Sequence, residues 1–264
     1  MNRIEKLEKV KGKKLIIYLM AGDPDMASTQ ALLEMLCTEG VSLIEIGIPF
    51  SDPIADGKTI QLAGERALKN GADIDKTLKI VKAVRKKFDT PMVFMTYYNI
   101  IYKYGFEKFI ANSLKAGLDG AIIPDRPYDE DENFGKVAKS AGYDIIYLTA
   151  PTSSVERARK MVEKTSGFLY YILVKGTTGV KTGALNDYKK AAVFKKMGKR
   201  QVFAGFGISK PEQVKEVLKY SDGVIVGSAF VKIINENSED KKKMLSKARN
   251  FVKKFSKEVF EYEK

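Results

Sequence analysis

The sequence predicts an α/β fold: a single (β/α)8 (TIM) barrel domain over residues 1–264, with an extra N-terminal helix and an extra terminal helix. Three observations predict it. The chain has 264 residues, and a barrel of this kind takes ~250. Eight short apolar runs alternate with helical patterns from end to end, the cadence of strands each followed by a helix. The runs are mostly continuous rather than alternating, which is how strands covered on both faces read. An open doubly wound sheet is the architectural alternative.

The runs are Lys14–Met20, Ser42–Ile48, Pro91–Thr96, Gly120–Pro124, Asp144–Thr149, Phe168–Val174, Gln201–Ala204 and Gly223–Val226. After the first, Ser28–Glu39 carries Leu32, Leu33 and Leu36 on one side. After the second, Ile74–Phe88 carries Leu78, Val81 and Val84. Pro211–Tyr220 opens with a proline suited to a first helical turn, with Ser209 placed to cap it. Gly40, Gly117, Gly142, Gly167 and Gly198 stand where helices should stop. From Lys241 to Lys257, Met244, Ala248, Phe251 and Phe255 recur at helical spacing, which predicts a terminal helix with one apolar and one lysine-rich face. No stretch reads as a linker, and no repeat goes beyond the strand–helix cadence.

Composition narrows the chemistry. With no histidine and a single cysteine, Cys37, a Ser-His-Asp triad, a His-ligated zinc site, a cysteine cluster and an internal disulfide are excluded. Acid–base work falls to Asp, Glu, Lys or Tyr. The 46 basic and 33 acidic residues leave a net charge of +13, compatible with nucleic acid, an anionic substrate or a merely lysine-rich surface. No nucleic-acid motif accompanies the charge. No apolar stretch approaches the ~20 residues of a membrane span, and Met1–Lys14 has no apolar run, so a soluble, cytoplasmic protein is expected.

In a barrel the active site lies at the C-terminal ends of the strands. After the seventh run comes Gly205-Phe206-Gly207-Ile208-Ser209, and after the eighth Gly227-Ser228-Ala229. Small residues there let backbone N–H groups approach phosphate oxygens, helped by a helix N-terminus; the same glycines could simply make turns. The loop from Lys175 to Asn186 reads as a flexible lid. Glu45 sits inside the second run between Ile44 and Ile46. A charge there is costly unless it is paired or protonated. It is either a structural ion pair or a carboxyl whose pKa is raised enough to give and take a proton near neutrality. The loop that follows, Gly47 to Gly57, is stiffened by Pro49 and Pro53 and carries Asp52 and Asp56.

The stretch Ile44-Glu45-Ile46-Gly47-Ile48-Pro49-Phe50-Ser51-Asp52-Pro53-Ile54-Ala55-Asp56-Gly57 resembles the signature of the tryptophan synthase alpha chain family. So, in order along nearly the whole chain, do Ala21-Gly22-Asp23-Pro24, Thr96-Tyr97-Tyr98-Asn99, Pro124-Asp125-Arg126-Pro127, Ala150-Pro151-Thr152, Gly176-Thr177-Thr178-Gly179 and the two glycine loops near the C-terminus. The resemblance implies a TIM barrel that cleaves indole-3-glycerol phosphate to indole and glyceraldehyde 3-phosphate by a retro-aldol reaction, with no metal or organic cofactor. It implies a beta-chain partner in an α2β2 complex. It implies that Glu45 is the general acid/base and Asp56 the second carboxylate, and that Thr178 orients Asp56 on lid closure. Tyr171 aligns with a tyrosine near the reacting hydroxyl, or fills the barrel. Gly179, Phe206, Gly207, Gly227 and Ser228 align with the phosphate site, and Tyr18, Leu148 and Ile208 wall the indole pocket.

Three positions depart from the family's usual pattern. Ile17-Tyr18 stands where Pro-Phe is common, Lys58 where proline is usual, and Arg126 where an aliphatic residue is usual. Lys58 and Arg126 are expected to face acidic groups of the beta chain. A non-catalytic regulatory subunit and a Schiff-base aldolase using Lys175 are the other readings of such a barrel.

Overall fold

The fold was taken from a computed structural model, in which residues 2–129, 132–173, 181–198 and 200–262 are described. Nine strands run in chain order: β1 (Lys14–Met20), β2 (Leu43–Gly47), β3 (Met92–Met95), β4 (Gly120–Ile122), β5 (Asp144–Ile146), β6 (Leu148–Thr149), β7 (Leu169–Ile172), β8 (Val202–Gly205) and β9 (Gly223–Val226). Every pairing between them is parallel. Their order is β5-β4-β3-β2-β1-β9-β8-β7-β6. The ends of that order, β5 and β6, are consecutive in the chain and separated by Tyr147 alone. The fifth predicted strand is thus divided: its first half pairs with β4 and its second with β7. This closes the ring and rules out the open sheet.

Alternate residues of each strand face in or out. Inward-facing Ile16, Leu43, Val93, Ile122, Ile146, Phe168, Tyr170, Phe203 and Ile225 form the barrel's interior core. Outward-facing residues such as Ile17, Ile44, Ile46, Phe94 and Leu169 form the larger core beneath the helices. The covering helices include α2 (Met26–Thr38), α3 (Lys58–Lys69), α4 (Ile74–Arg85), α5 (Tyr98–Tyr104), α6 (Phe106–Ala116), α7 (Glu132–Ala141), α8 (Val155–Lys164), α9 (Lys181–Met197), α10 (Val214–Leu218), α11 (Ser228–Glu236) and α12 (Lys241–Glu261). On α12 the expected face is buried at Met244, Ala248 and Phe255, with Val252 and Val259 added and Phe251 half-buried.

The added N-terminal helix, α1 (Arg3–Lys9), closes the bottom of the barrel. Its Ile4 joins the interior core. Asn2 Nδ2 donates to Asp144 Oδ2 at 2.7 Å, Arg3 Nη1 to Asp119 Oδ1 at 3.1 Å, and Arg200 Nη1 to Glu8 Oε2 at 3.0 Å.

Two local expectations are corrected. Ser209 does not cap the helix after β8. The Gln213 side-chain oxygen folds back instead and accepts from the Ser209 and Lys210 N–H groups at 2.8 and 2.9 Å. The predicted lid does not extend to Asn186, because α9 already begins at Lys181; its earlier part, residues 175–180, lies outside the described residues.

Candidate active site

A cavity of about 240 Å³ opens at the C-terminal mouth of the barrel. It is lined by Tyr18, Glu45, Asp56, Phe206, Gly207, Ile208, Gly227 and Ser228, among others. Eight of the expected site residues therefore meet in one place, although they come from positions far apart in the chain.

Glu45 is held inward by β2, where it sits opposite Tyr18 of β1. It is fully buried, and neither carboxylate oxygen has a hydrogen-bond partner among the described residues. The ion-pair alternative is thereby set aside. Burial pushes its pKa up to about 8, because the charged form loses hydration and gains nothing in exchange. A carboxyl in that state is a proton donor at neutral pH and a proton acceptor once ionised.

Asp56 enters from the loop between β2 and α3, and it is half-buried. Tyr97, at the end of β3, donates its hydroxyl to Asp56 Oδ2 at 3.0 Å and accepts from the Ala55 N–H at 3.1 Å. Its ring also packs on Phe50, 5.2 Å between centroids. Burial raises the Asp56 pKa, and the Tyr97 hydrogen bond opposes that rise. Behind the loop, Arg66 of α3 makes a two-pronged ion pair with buried Asp23, both contacts at 2.8 Å, which ties the helix to the end of β1.

The glycine loops present unusual backbone at the cavity. Phe206 and Gly207 both adopt left-handed backbone, with φ of 73° and 77°. Phe206 is the one non-glycine residue with positive φ among the described residues, a conformation tolerated mainly where structure around a site enforces it. Gly227 leads into α11 without a side-chain cap, which leaves that helix's first N–H groups open to an acceptor.

Four expected residues stand elsewhere or cannot be placed. Tyr171 neither reaches the cavity nor fills the barrel. It points outward into the helix-facing core, its ring edge-on to Phe194 at 5.6 Å. The correction follows from strand alternation: Tyr170 takes the inward position and lines the cavity. A signal for it lies in Gly205, where a Cβ would come within 2.6 Å of the Tyr170 hydroxyl. Leu148 lines a neighbouring cavity of about 470 Å³, which shares Phe206 with the first. Thr178 and Gly179 lie outside the described residues, as does Lys175.

The departures from the family pattern also find their places. Lys58 is exposed and lines the cavity mouth. Arg126 does not face outward as expected. It is 6% exposed, donates to the Tyr147 hydroxyl at 2.9 Å and lies 4.9 Å above the Phe134 ring. An isolated cation in a loop looks like a surface group in sequence; here aromatic faces cover it.

A closed parallel barrel whose mouth holds a buried carboxyl, partnerless among the described residues, and an uncapped helix start has the architecture of a (β/α)8-barrel with its site at the C-terminal ends of the strands. The comparisons make this specific. Residues 4–260 match the family model described as tryptophan synthase alpha chain, and the chain belongs to that family. It is 42% identical over 242 residues to the tryptophan synthase alpha chain of Petrotoga mobilis, covering 91% of this chain and 94% of that one. The structure of tryptophan synthase subunit alpha from Legionella pneumophila superposes with a TM-score of 0.90 at 37% identity, covering 99% of both chains. A chain of the tryptophan synthase complex from Pyrococcus furiosus superposes with a TM-score of 0.82 at 39% identity, covering 93% of this chain and 99% of that one. Membership makes the protein an enzyme of tryptophan biosynthesis, in the alpha-subunit role.

Proposed function

We propose that the chain is a carbon–carbon lyase that splits indole-3-glycerol phosphate into indole and glyceraldehyde 3-phosphate. The observation that carries this reading is Glu45: a buried carboxyl with no partner among the described residues, poised to be protonated at neutral pH.

An indole carbanion is a poor leaving group. Glu45, protonated, gives its proton to ring carbon C3. The ring nitrogen then bears positive charge, and the Asp56 carboxylate accepts a hydrogen bond from its N–H and stabilises that charge. Glu45, now a carboxylate, takes the proton of the side-chain hydroxyl next to C3. As that oxygen becomes the aldehyde carbonyl, the bond between C3 and the side chain breaks. Its electron pair returns to the ring, giving neutral indole, and Glu45 ends protonated as it began. Tyr170, rather than Tyr171, is the tyrosine that supports the reacting hydroxyl. The backbone at Phe206, Gly207, Gly227 and Ser228 holds the phosphate, joined by Gly179, and Thr178 orients Asp56. Tyr18 and Ile208 flank the ring, and Leu148 extends that wall beyond Phe206.

We infer a beta-chain partner as well. The Pyrococcus furiosus relative is described as an a2b2 complex with mutual activation. In this chain Ile54, 80% exposed in the Asp56 loop, and Tyr102, 71% exposed on α5, offer apolar surface for such a contact. The cytoplasm is the compartment this reading assigns; no helix among the described residues is long and apolar enough to cross a membrane.

The test is indole release from indole-3-glycerol phosphate by the wild type and by Glu45→Gln, each with and without a beta chain. Release that nearly vanishes in the variant is the expected result. No release by the wild type in either condition, with substrate still bound, would overturn the lyase reading in favour of a regulatory subunit.

A further inference from the structure

Asp125 stands in the loop after β4 and does not line the cavity that holds Glu45 and Asp56. The proposed reaction gives it no part. Its carboxylate nevertheless ends at the root of Tyr97. The Tyr98 N–H donates to Asp125 Oδ1 at 2.9 Å, and that N–H belongs to the peptide leaving Tyr97. Just before Tyr97, the Thr96 N–H donates to the Ile122 carbonyl of β4 at 3.0 Å. Tyr97 is thus held between two tethers to one neighbour, β4 and the loop that follows it.

The start of α5 needs such a tether. The helix opens at Tyr98, and Tyr97, at its N-cap, makes no side-chain cap bond. The first N–H groups of a helix have no partner within it. Asp125 supplies from another strand's loop what the cap residue does not. Tyr97 in turn needs a fixed root. Its side chain is 5% exposed, and its hydroxyl is the group that bonds both Asp56 and the Ala55 N–H. A turn of the peptide at Tyr98 would swing that hydroxyl, at the far end of a rigid ring, away from both. Burial holds the Tyr97 pKa above its ordinary value, and the Asp56 and Asp125 carboxylates add to the rise, so the phenol keeps the proton it donates.

We propose that Asp125 is a positioning residue for Asp56, acting through Tyr97. It pins the start of α5, the pinned backbone roots the phenol, and the phenol sets the Asp56 carboxylate. The inference rests on the lyase reading for what Asp56 does. Asp125 touches no substrate and moves no proton.

Steady-state kinetics and carbon NMR of the Asp56 carboxyl across pH test it in Asp125→Ala, Asp125→Asn and Tyr97→Phe. Asp125→Ala should lower kcat about fivefold and hold KM within about twofold, because charge on the ring develops only as the reaction proceeds. In that variant Asp56 should ionise at higher pH than in the wild type. Asn and Asp accept about equally well at helix starts, so Asp125→Asn should keep kcat within about twofold and leave the Asp56 titration in place. Residues on one route do not add, so Asp125→Ala combined with Tyr97→Phe should fall within about twofold of Tyr97→Phe alone. Losses that multiply in the double variant would overturn the proposal. So would an Asp125→Ala variant that melts earlier but keeps the wild-type Asp56 titration, or an Asp125→Asn variant as slow as Asp125→Ala. A wild type that releases no indole, while Asp125→Ala still moves the Asp56 titration, would overturn the lyase reading and leave the positioning contact standing.

Discussion

The Tyr97 hydroxyl sits between two consecutive residues of the loop between β2 and α3, donating to the Asp56 carboxylate at 3.0 Å and accepting from the Ala55 N–H at 3.1 Å. One phenol, just past β3 and at the start of α5, thus fixes both the position of Asp56 and the backbone that carries it.

Tyr97→Phe should leave the barrel folded, at a cost of about 1 kcal/mol, and lower kcat roughly tenfold by loosening Asp56. The lost donor also removes the influence that opposes burial at Asp56. Its carboxyl should therefore ionise at higher pH, and the acidic limb of the kcat/KM profile should move up. Steady-state kinetics across pH would check this; an unmoved acidic limb would detach Tyr97 from Asp56.

The pH behaviour of Glu45 has a definite sign. Its pKa rises from 4.5 to about 8 on folding, so the folded state holds a proton that the unfolded chain gives up first. Stability from this group is intact below pH 4.5, falls as pH rises toward about 8, and levels off above it. Glu45→Gln removes the titration and should stabilise the chain by roughly 1–3 kcal/mol at pH 7, with little gain at pH 4. Melting curves at both values decide it. Wild-type kcat/KM should decline above pH about 8, as the initial proton donor is lost.

Adjacent tyrosines should part company. Tyr170→Phe should lower kcat about tenfold or more, the scale of a lost contact in the transition state. Tyr171→Phe, altered beneath the helices, should keep kcat within about twofold, because its ring faces Phe194 rather than the cavity. The reverse ranking would mean that the alternation of β7 is misassigned.

Arg126→Leu should act on stability rather than docking. The guanidinium stacks on Phe134 and bonds to Tyr147, so its loss should cost about 1–3 kcal/mol. Affinity for a beta chain, and its salt dependence, should be unchanged. A marked fall in affinity at constant stability would restore Arg126 to the interface.

Much of this architecture was legible in the residues. Every apolar run became strand, because continuous aliphatic stretches suit a sheet buried on both faces. The break at Tyr147 was not legible: hydrophobicity does not say when a strand changes neighbours. α3 was hidden because its buried face is made of Ile60, Ala63, Gly64 and Ala67, mostly small side chains rather than the large aliphatic ones that mark α2 and α4. Glu45 was visible because a lone carboxyl among isoleucines is costly anywhere but a site. Choosing between Tyr170 and Tyr171 needed the inward parity of β7. The burial of Arg126 needed Phe134 and Tyr147, neighbours the chain brings near only after folding.

The helix at the bottom of the barrel has a consequence for synthesis. α1 leaves the ribosome before every other described element, yet its seats are made by Asp119, Asp144, Phe168 and Arg200. Until those residues have been made it has nowhere to dock, so a segment made before the barrel is among the last to settle. Its capping box, in which Asn2 and Glu5 each bond the other's backbone N–H, lets the helix exist in outline while it waits for the floor it will close.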